Sequence, residues 1–344
     1  MNFLTVIYAV LIFGGMVFLH EFGHYLFARI FHVTIQEFAI GMGPRLVKWT
    51  SKKTGITYSI RLLLIGGFVS MDGEDSESDN PNAFCKKPAW QRLIITGAGA
   101  CMNIITGVVL SLCMVLSSSL LGTTIVARFP DGESAASYQS GLRPGDEIRY
   151  VGNTRVHTDT ELTYEITRQG TEPLRFRVLR DGQEQTITVT FSTEEEKGVS
   201  YGVRDFQVYG VEKTVGGVLR YTWYQSWSSV KMIWQSLGDL ITGRYGIEAV
   251  SGPVGVTEVI GQAASVSATS LLYLCALISM NLGIFNLLPI PALDGGRIFF
   301  QLIEIVRRKP VDPKHEGYVH AVGMVILLAF MAVITFKDIV SLFR

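Results

Sequence analysis

The chain has 344 residues, a formal net charge of zero, 17% charged residues and 48% apolar residues. Zero net charge excludes the basic footprint of a nucleic-acid-binding protein. The low charge content, with its apolar excess gathered into a few long runs, points to membrane spans rather than one large soluble core. Four cysteines, Cys85, Cys101, Cys113 and Cys275, form no CxxC pair, and three lie in apolar runs. Neither a disulfide framework nor a cysteine metal site is expected.

From the N-terminus, the first apolar run has no basic leader and no small-residue cleavage site before His20. It reads as a retained span rather than a removable signal peptide. Four segments have the length a bilayer requires, about 20 apolar residues. They run roughly from Phe3 to Phe31, Leu93 to Leu121, Ala268 to Leu293 and Val319 to Leu342. The loop after the first span carries Arg45, Lys48, Lys52, Lys53, Arg61, Lys86, Lys87 and Arg92. The loop after the third carries Arg297, Arg307, Arg308, Lys309 and Lys314. The positive-inside bias puts both loops in the cytoplasm, both termini outside, and the region from about Gly122 to Ser267 outside.

That external region opens with an α/β pattern. Apolar and polar residues alternate around Gly152-Asn153 and again around Asp181-Gly182, two hairpin turn signals. The helical stretch "TELTYEITRQG" lies between them and ends at Gly170, a C-cap residue. Beyond the strands, Leu219, Trp223, Trp227, Val230, Trp234, Leu237 and Ile241 recur at steps of three and four. Two readings fit this tryptophan-rich stripe: an amphipathic helix in the outer membrane interface, or a helix packed on the α/β domain.

The chemistry sits in the first span, where "HEFGH" places His20 and His24 one helical turn apart with Glu21 beside them. Residues four apart share a helix face, so both imidazoles can reach one metal ion, and Glu21 is placed to take a proton from metal-bound water. A pair of ordinary core histidines is the bland reading. It weakens inside a membrane, where three ionisable groups in five residues need a compensating partner. Catalytic zinc takes three protein ligands, and Asp294 is the best third candidate. It closes "NLLPIPALDGG", where Pro289, Pro291 and Gly295-Gly296 break an apolar span. Such backbone survives in a membrane only where protein or a water-filled cavity surrounds it. Both motifs fall near the inner ends of spans that run in the same direction, so they reach similar depth. His32, His157, His315 and His320 read as ordinary polar histidines.

HEFGH in the first span and NLLPIPALDGG late in the chain, with the external domain between them, together resemble the site-2 protease family, in particular its bacterial RseP-like group. "SGLRPGDEI" and the strands after it resemble a PDZ domain over residues 123–205. That domain reads either as a binder of chain ends or as a spacer. The resemblance implies Zn2+ as cofactor, His20, His24 and Asp294 as metal ligands, and Glu21 as catalytic base. It implies that Asn286 helps hold the substrate or polarise its carbonyl; capping or packing is the alternative for that residue. "SIRLLLIGGFVSMDGE" resembles the family's membrane-associated β-hairpin, with Gly66, Gly67 and Phe68 at a tip-like turn that contacts substrate. "SGPVGV", residues 251–256, resembles a segment that precedes the third span in the family. The second span departs from the family pattern: it reads "GAGACMNIITG" where relatives more often carry Gly-Pro, though Asn103 fits.

The expected fold is an α-helical polytopic membrane protein of about four transmembrane helices, with a membrane-associated β-hairpin and one inserted PDZ-like domain. The expected divisions are 1–122, 123–205, 206–267 and 268–344. The implied activity is zinc-dependent hydrolysis of peptide bonds within transmembrane segments of single-span proteins, such as anti-sigma factors or remnant signal peptides. The implied partners are those substrates, the lipid bilayer of a bacterial cytoplasmic membrane, and an upstream site-1 protease. A catalytically inactive membrane-anchored PDZ scaffold is the alternative of another class, and a metal-ion transporter is a third, disfavoured because no half of the chain repeats.

Overall fold

A computed structural model describes residues 3–74, 76–196, 199–244, 246, 250–309, 311 and 313–341. The chain divides into two compact units, Met1–Leu110 with Ser251–Arg344, and Ser111–Val250.

In the first unit, α1 (Phe3–Ile30) leads into two long antiparallel strands, β1 (Ile35–Thr50) and β2 (Thr57–Met71), followed by α2 (Ala89–Ser117). Both strands bend where glycine permits a left-handed backbone, at Gly41 and Gly43 in β1 and at Gly66 in β2. The bends let each strand contribute twice. Ile40 pairs with both Ile60 and Gly67, so the segments run in the order 45–50, 57–61, 37–40, 67–71. The chain reverses at 51–56. Gly66, Gly67 and Phe68 therefore do not form the tip; they start the outermost segment. The sheet packs on α1 and α2 through Ala28, Ile35, Phe38, Val69 and Ile95.

In the second unit, β3 (Leu121–Arg128), α3 (Ala136–Gln139), β4 (Glu147–Val151), β5 (Thr154–Arg155), α4 (Asp159–Gln169), β6 (Leu174–Arg180) and β7 (Gln183–Val189) follow one another. Then come β8 (Ser192–Glu196), β9 (Val199–Val203), β10 (Gln207–Val211) and the long helix α5 (Val215–Ile241). The sheet runs β10-β3-β4-β6-β7, with β5 paired to β4. Both foreseen hairpin turns are present. Val151 pairs with Thr154 across Gly152-Asn153, and Arg180 with Gln183 across Asp181-Gly182. Ile148, Leu162, Ile166, Phe176 and Val178 fill the core. The sheet takes in residues 207–211, beyond the expected edge at 205.

Helix α5 lies against α4 with its polar face. Arg168 donates to Asp239 at 2.6 and 2.8 Å, Gln235 to Glu165 at 3.1 Å, and Lys231 pairs with the buried Glu161. Tyr224 stacks on His157 at 4.1 Å between ring centroids. Leu219, Trp223, Trp227, Trp234 and Ile241 are exposed on the opposite side. The helix is thus packed on the domain, as one reading held, but inside out. Lys231, Gln235 and Asp239 find charged partners on α4, and the tryptophans of the stripe are left exposed.

The chain returns to the first unit with α6 (Pro253–Val266), α7 (Ala268–Asn286), α8 (Asp294–Arg307) and α9 (Pro313–Ser341). Among the described residues, four helices are long and apolar enough to cross a membrane: Phe3–Ile30, Ala89–Ser117, Ala268–Asn286 and Lys314–Ser341. The second helix stops short of the expected Leu121, which opens β3. Ser117 and Ser118 turn their hydroxyls back onto the Cys113 and Val115 carbonyls there. The third stops at Asn286, not Leu293, because Pro289 and Pro291 cannot continue it. The expected loop after it is largely a helix, α8. Gly295 and Gly296 sit in its first turn, where the Leu288 and Ile290 carbonyls press so closely that a Cβ has no room.

Candidate metal centre

The site is assembled where three helices meet through small residues. Gly23 of α1 lies on the backbone of Ala98 and Gly99 in α2, and a Cβ at Gly23 would come within 2.5 Å of the Ala98 carbonyl oxygen. Gly283 of α7 lies equally close to Ala100 and Ile104 of α2. Close backbone approach at glycine is how membrane helices gain packing energy. Here it also opens a space, because a Cβ at Gly99 would collide with Nε2 of both His20 and His24.

Into that space come three ligand atoms. His20 Nε2 lies 3.2 Å from His24 Nε2 and 3.2 Å from Asp294 Oδ2, and His24 Nε2 lies 3.4 Å from the same oxygen. A tetrahedral ion with bonds of about 2.0–2.1 Å separates its ligand atoms by roughly 3.3 Å. The triangle fits zinc on that geometric ground. It fits on chemical ground as well: Asp294 Oδ2 is buried and receives no hydrogen bond among the described residues. These three residues are also the one His/Cys/Asp/Glu group among the described residues whose atoms cluster closely enough to hold a metal.

Two further contacts orient the imidazoles. Nδ1–H of His24 donates to the Ile95 carbonyl at 2.8 Å. A carbonyl only accepts, so the proton is on Nδ1 and the Nε2 lone pair faces inward. Nδ1 of His20 lies 3.1 Å from the side-chain amide of Asn103, which is fully buried in α2. The facing atom is the amide nitrogen; a metal on Nε2 of His20 would leave the ring proton on Nδ1 and call for the amide to turn over, so that its oxygen, without a partner in the present orientation, accepts. Sequence reasoning noted Asn103 only as fitting a pattern. An asparagine in an apolar span was the available signal. Nothing in the sequence pointed to Ile95 or Gly99.

A cavity of about 200 Å³ adjoins the three ligand atoms, and Glu21, Phe68, Val69, Met71 and Leu293 help line it. The Val69 backbone N–H donates to the Glu21 carboxylate. Gly67 abuts Glu21 so closely that a Cβ there would stand 3.1 Å from Glu21 Cγ. The outermost sheet segment, 67–71, therefore runs past the site. Phe68 lines the cavity and Gly67 borders Glu21, whereas Gly66 and Asn286 are outside its lining. Asn286 is the last residue of α7.

Histidines one turn apart on a membrane-length helix, a carboxylate from a distant segment and a glutamate beside them define a metal-dependent hydrolase built among membrane helices. The description of peptidase family M50 matches residues 8–330. A Clostridium acetobutylicum protein whose name places it among zinc metalloproteases is 35% identical over 99% of this chain and 98% of its own length. Zinc metalloprotease RasP of Geobacillus kaustophilus is 31% identical, covering 98% of each chain. Regulator of sigma-W protease RasP of Bacillus subtilis is 29% identical over 98% of this chain and 99% of its own. The chain belongs to peptidase family M50, the site-2 type, and is a multi-pass membrane zinc metalloprotease with Zn2+ as its cofactor.

Proposed function

We propose that this protein cuts peptide bonds inside the transmembrane segments of single-span membrane proteins, with His20, His24 and Asp294 holding zinc and Glu21 as the catalytic base. The observation that carries the reading is the convergence of three ligand atoms, a glutamate and an open sheet edge on one small cavity. A bound zinc ion supplies Lewis acidity and makes water a usable nucleophile near neutral pH.

The protein's own residues do the rest. A helical substrate hides its peptide bonds in internal hydrogen bonds, so it must be unwound before attack. Segment 67–71 pairs with 35–40 on one side only among the described residues. Its other edge is suited to take up an extended chain by strand addition, with Gly67 leaving the backbone accessible and Phe68 contacting side chains. Glu21 then accepts a proton from the attacking water and hands it to the leaving amine. The His24 tautomer set by the Ile95 carbonyl leaves its Nε2 lone pair free for a metal, which would be held there with His20 and Asp294.

Around this core, the loop charges put residues 32–92 and 297–314 on the cytoplasmic side, and both termini and the region from about Gly122 to Ser267 outside a bacterial cytoplasmic membrane. The second unit is PDZ-like. Gly202 of β9 lies against Gly170 and the Ile166 carbonyl at the end of α4, leaving no room for a Cβ there. This closeness favours a size filter over a peptide-binding groove between those two elements. Bulky ectodomains are then excluded until an upstream protease trims them. The Bacillus subtilis relative is named for regulation of sigma-W. A membrane-anchored anti-sigma factor is accordingly the first substrate class to test, with remnant signal peptides second. Co-expression with candidate single-span substrates, comparing wild type with Glu21→Gln and Asp294→Asn, tests the reading. Cleavage that survives both substitutions refutes it.

A further inference from the structure

The loop that delivers Asp294 is not self-supporting. Ala292 has φ +78°, a left-handed conformation that an alanine does not adopt unaided. Its backbone N–H donates to Nδ1 of His320 on α9 at 3.0 Å. Three residues further along the same helix, Gly323 lies directly under Pro291, and any Cβ there would run into the Pro291 side chain and carbonyl. On the other side of Asp294, the His320 ring closes on Gly296, where a Cβ would stand 3.0 Å from its Cε1. Phe300 of α8 packs on the same ring at 5.9 Å between centroids.

We infer that His320 and Gly323 form a seat on α9 that holds the Pro291–Gly296 backbone and thereby sets where the Asp294 carboxylate stands, making His320 a positioning residue for the metal site. The inference rests on the zinc-site reading of His20, His24 and Asp294. His320 is not itself a ligand: with Nδ1 accepting from the Ala292 N–H the neutral ring carries its proton on Nε2, and the clustered ligand atoms are those of His20, His24 and Asp294. One imidazole touches the backbone on both sides of Asp294, so moving it moves the third ligand against two histidines fixed on another helix. Ligand sets tolerate displacements of only about half an ångström, and loss of an outer partner typically weakens metal binding about 10- to 100-fold. A histidine inside an apolar helix is costly unless it has such work.

The test is zinc affinity, read by competition with a chromophoric chelator on the full chain in detergent. Wild type is compared with His320→Leu, His320→Asn and Gly323→Ala, alongside the visible absorption of the Co2+-loaded proteins. His320→Leu and Gly323→Ala should bind zinc about 10- to 100-fold more weakly, with a weakened or shifted cobalt spectrum. His320→Asn, which keeps an acceptor near Nδ1, should stay close to wild type. Wild-type affinity and an unshifted cobalt spectrum in His320→Leu overturn the seat, as does equal weakening by Leu and Asn, which marks a packing role. If His320→Leu does not fold, Gly323→Ala decides: unchanged affinity there overturns the inference. A wild-type protein that binds no divalent ion fails the zinc-site reading itself, which is a different result from a wild type that binds and variants that match it.

Discussion

Nε2 of His24 and Oδ2 of Asp294 stand 3.4 Å apart, although one residue belongs to the first helix and the other opens the eighth. A histidine and a carboxylate placed this close among apolar helices offer their facing atoms to a shared cation. Replacing Asp294 by Asn removes the charge and keeps the shape. Zinc retention after dialysis against chelator should fall by more than the roughly 10- to 100-fold expected of an outer contact. Metal analysis of the purified variant checks this.

Glu21 touches none of the ligand pairs that define the triangle. Glu21→Gln should therefore leave zinc content at the wild-type level while peptide hydrolysis drops about 10²- to 10⁴-fold. Parallel metal analysis and cleavage of a co-expressed substrate separate the two effects. Loss of both together would move Glu21 from proton transfer to site assembly.

Asn103 is buried with its amide against Nδ1 of His20, and once a metal takes Nε2 the amide oxygen has to turn to accept from Nδ1–H. Asn103→Leu should weaken zinc binding about 10- to 100-fold, and Asn103→Asp, which keeps an oxygen acceptor, should retain it. Chelator competition on both variants measures the difference.

Glu37 staples the four-segment sheet together. It accepts from Ser59 at 2.6 Å, from Arg45 at 2.6 Å and from Arg61 at 3.0 Å, while the Arg61 guanidinium lies over Phe68. Burial pushes the Glu37 carboxyl up, but these hydrogen bonds outweigh it and hold it at about 2, below its ordinary 4.5. A depressed carboxyl stabilises the folded state fully above its unfolded value and loses that contribution as pH falls toward the folded one. Glu37→Gln should cost about 1–3 kcal/mol near neutral pH by leaving two guanidinium groups without their anion. The gap in melting temperature between wild type and variant should narrow between pH 4.5 and 2. A gap independent of pH would exclude the carboxylate as its source.

The outward stripe of α5 predicts a lipid contact. Trp223, Trp227 and Trp234 are 68%, 57% and 51% exposed, while the polar side of the same helix is engaged by α4. Tryptophan prefers the membrane interface. In full-length protein reconstituted with brominated lipids and retaining Trp227 alone, emission should be blue-shifted and quenched. Unquenched emission would place the stripe in water.

Much of this protein was legible in its residues. The four long helices follow from apolar run length, the two hairpins of the second unit from Gly-Asn and Asp-Gly at turns that take φ > 0, and the metal motif from a four-residue spacing on one helix. Each is a local property, decided within one or two turns of chain. Helix α8 was hidden by the same kind of rule, since Gly295-Gly296 reads as a breaker until the carbonyls pressing on it are seen. What could not be read was which groups meet. The Ile95 carbonyl behind His24, the room left by Gly99, the imidazole of His320 under Ala292 and the inverted packing of α5 all depend on partners far away in the chain. Periodicity says that a helix has two faces, but only the charges and backbone groups supplied by its neighbours decide which face is buried.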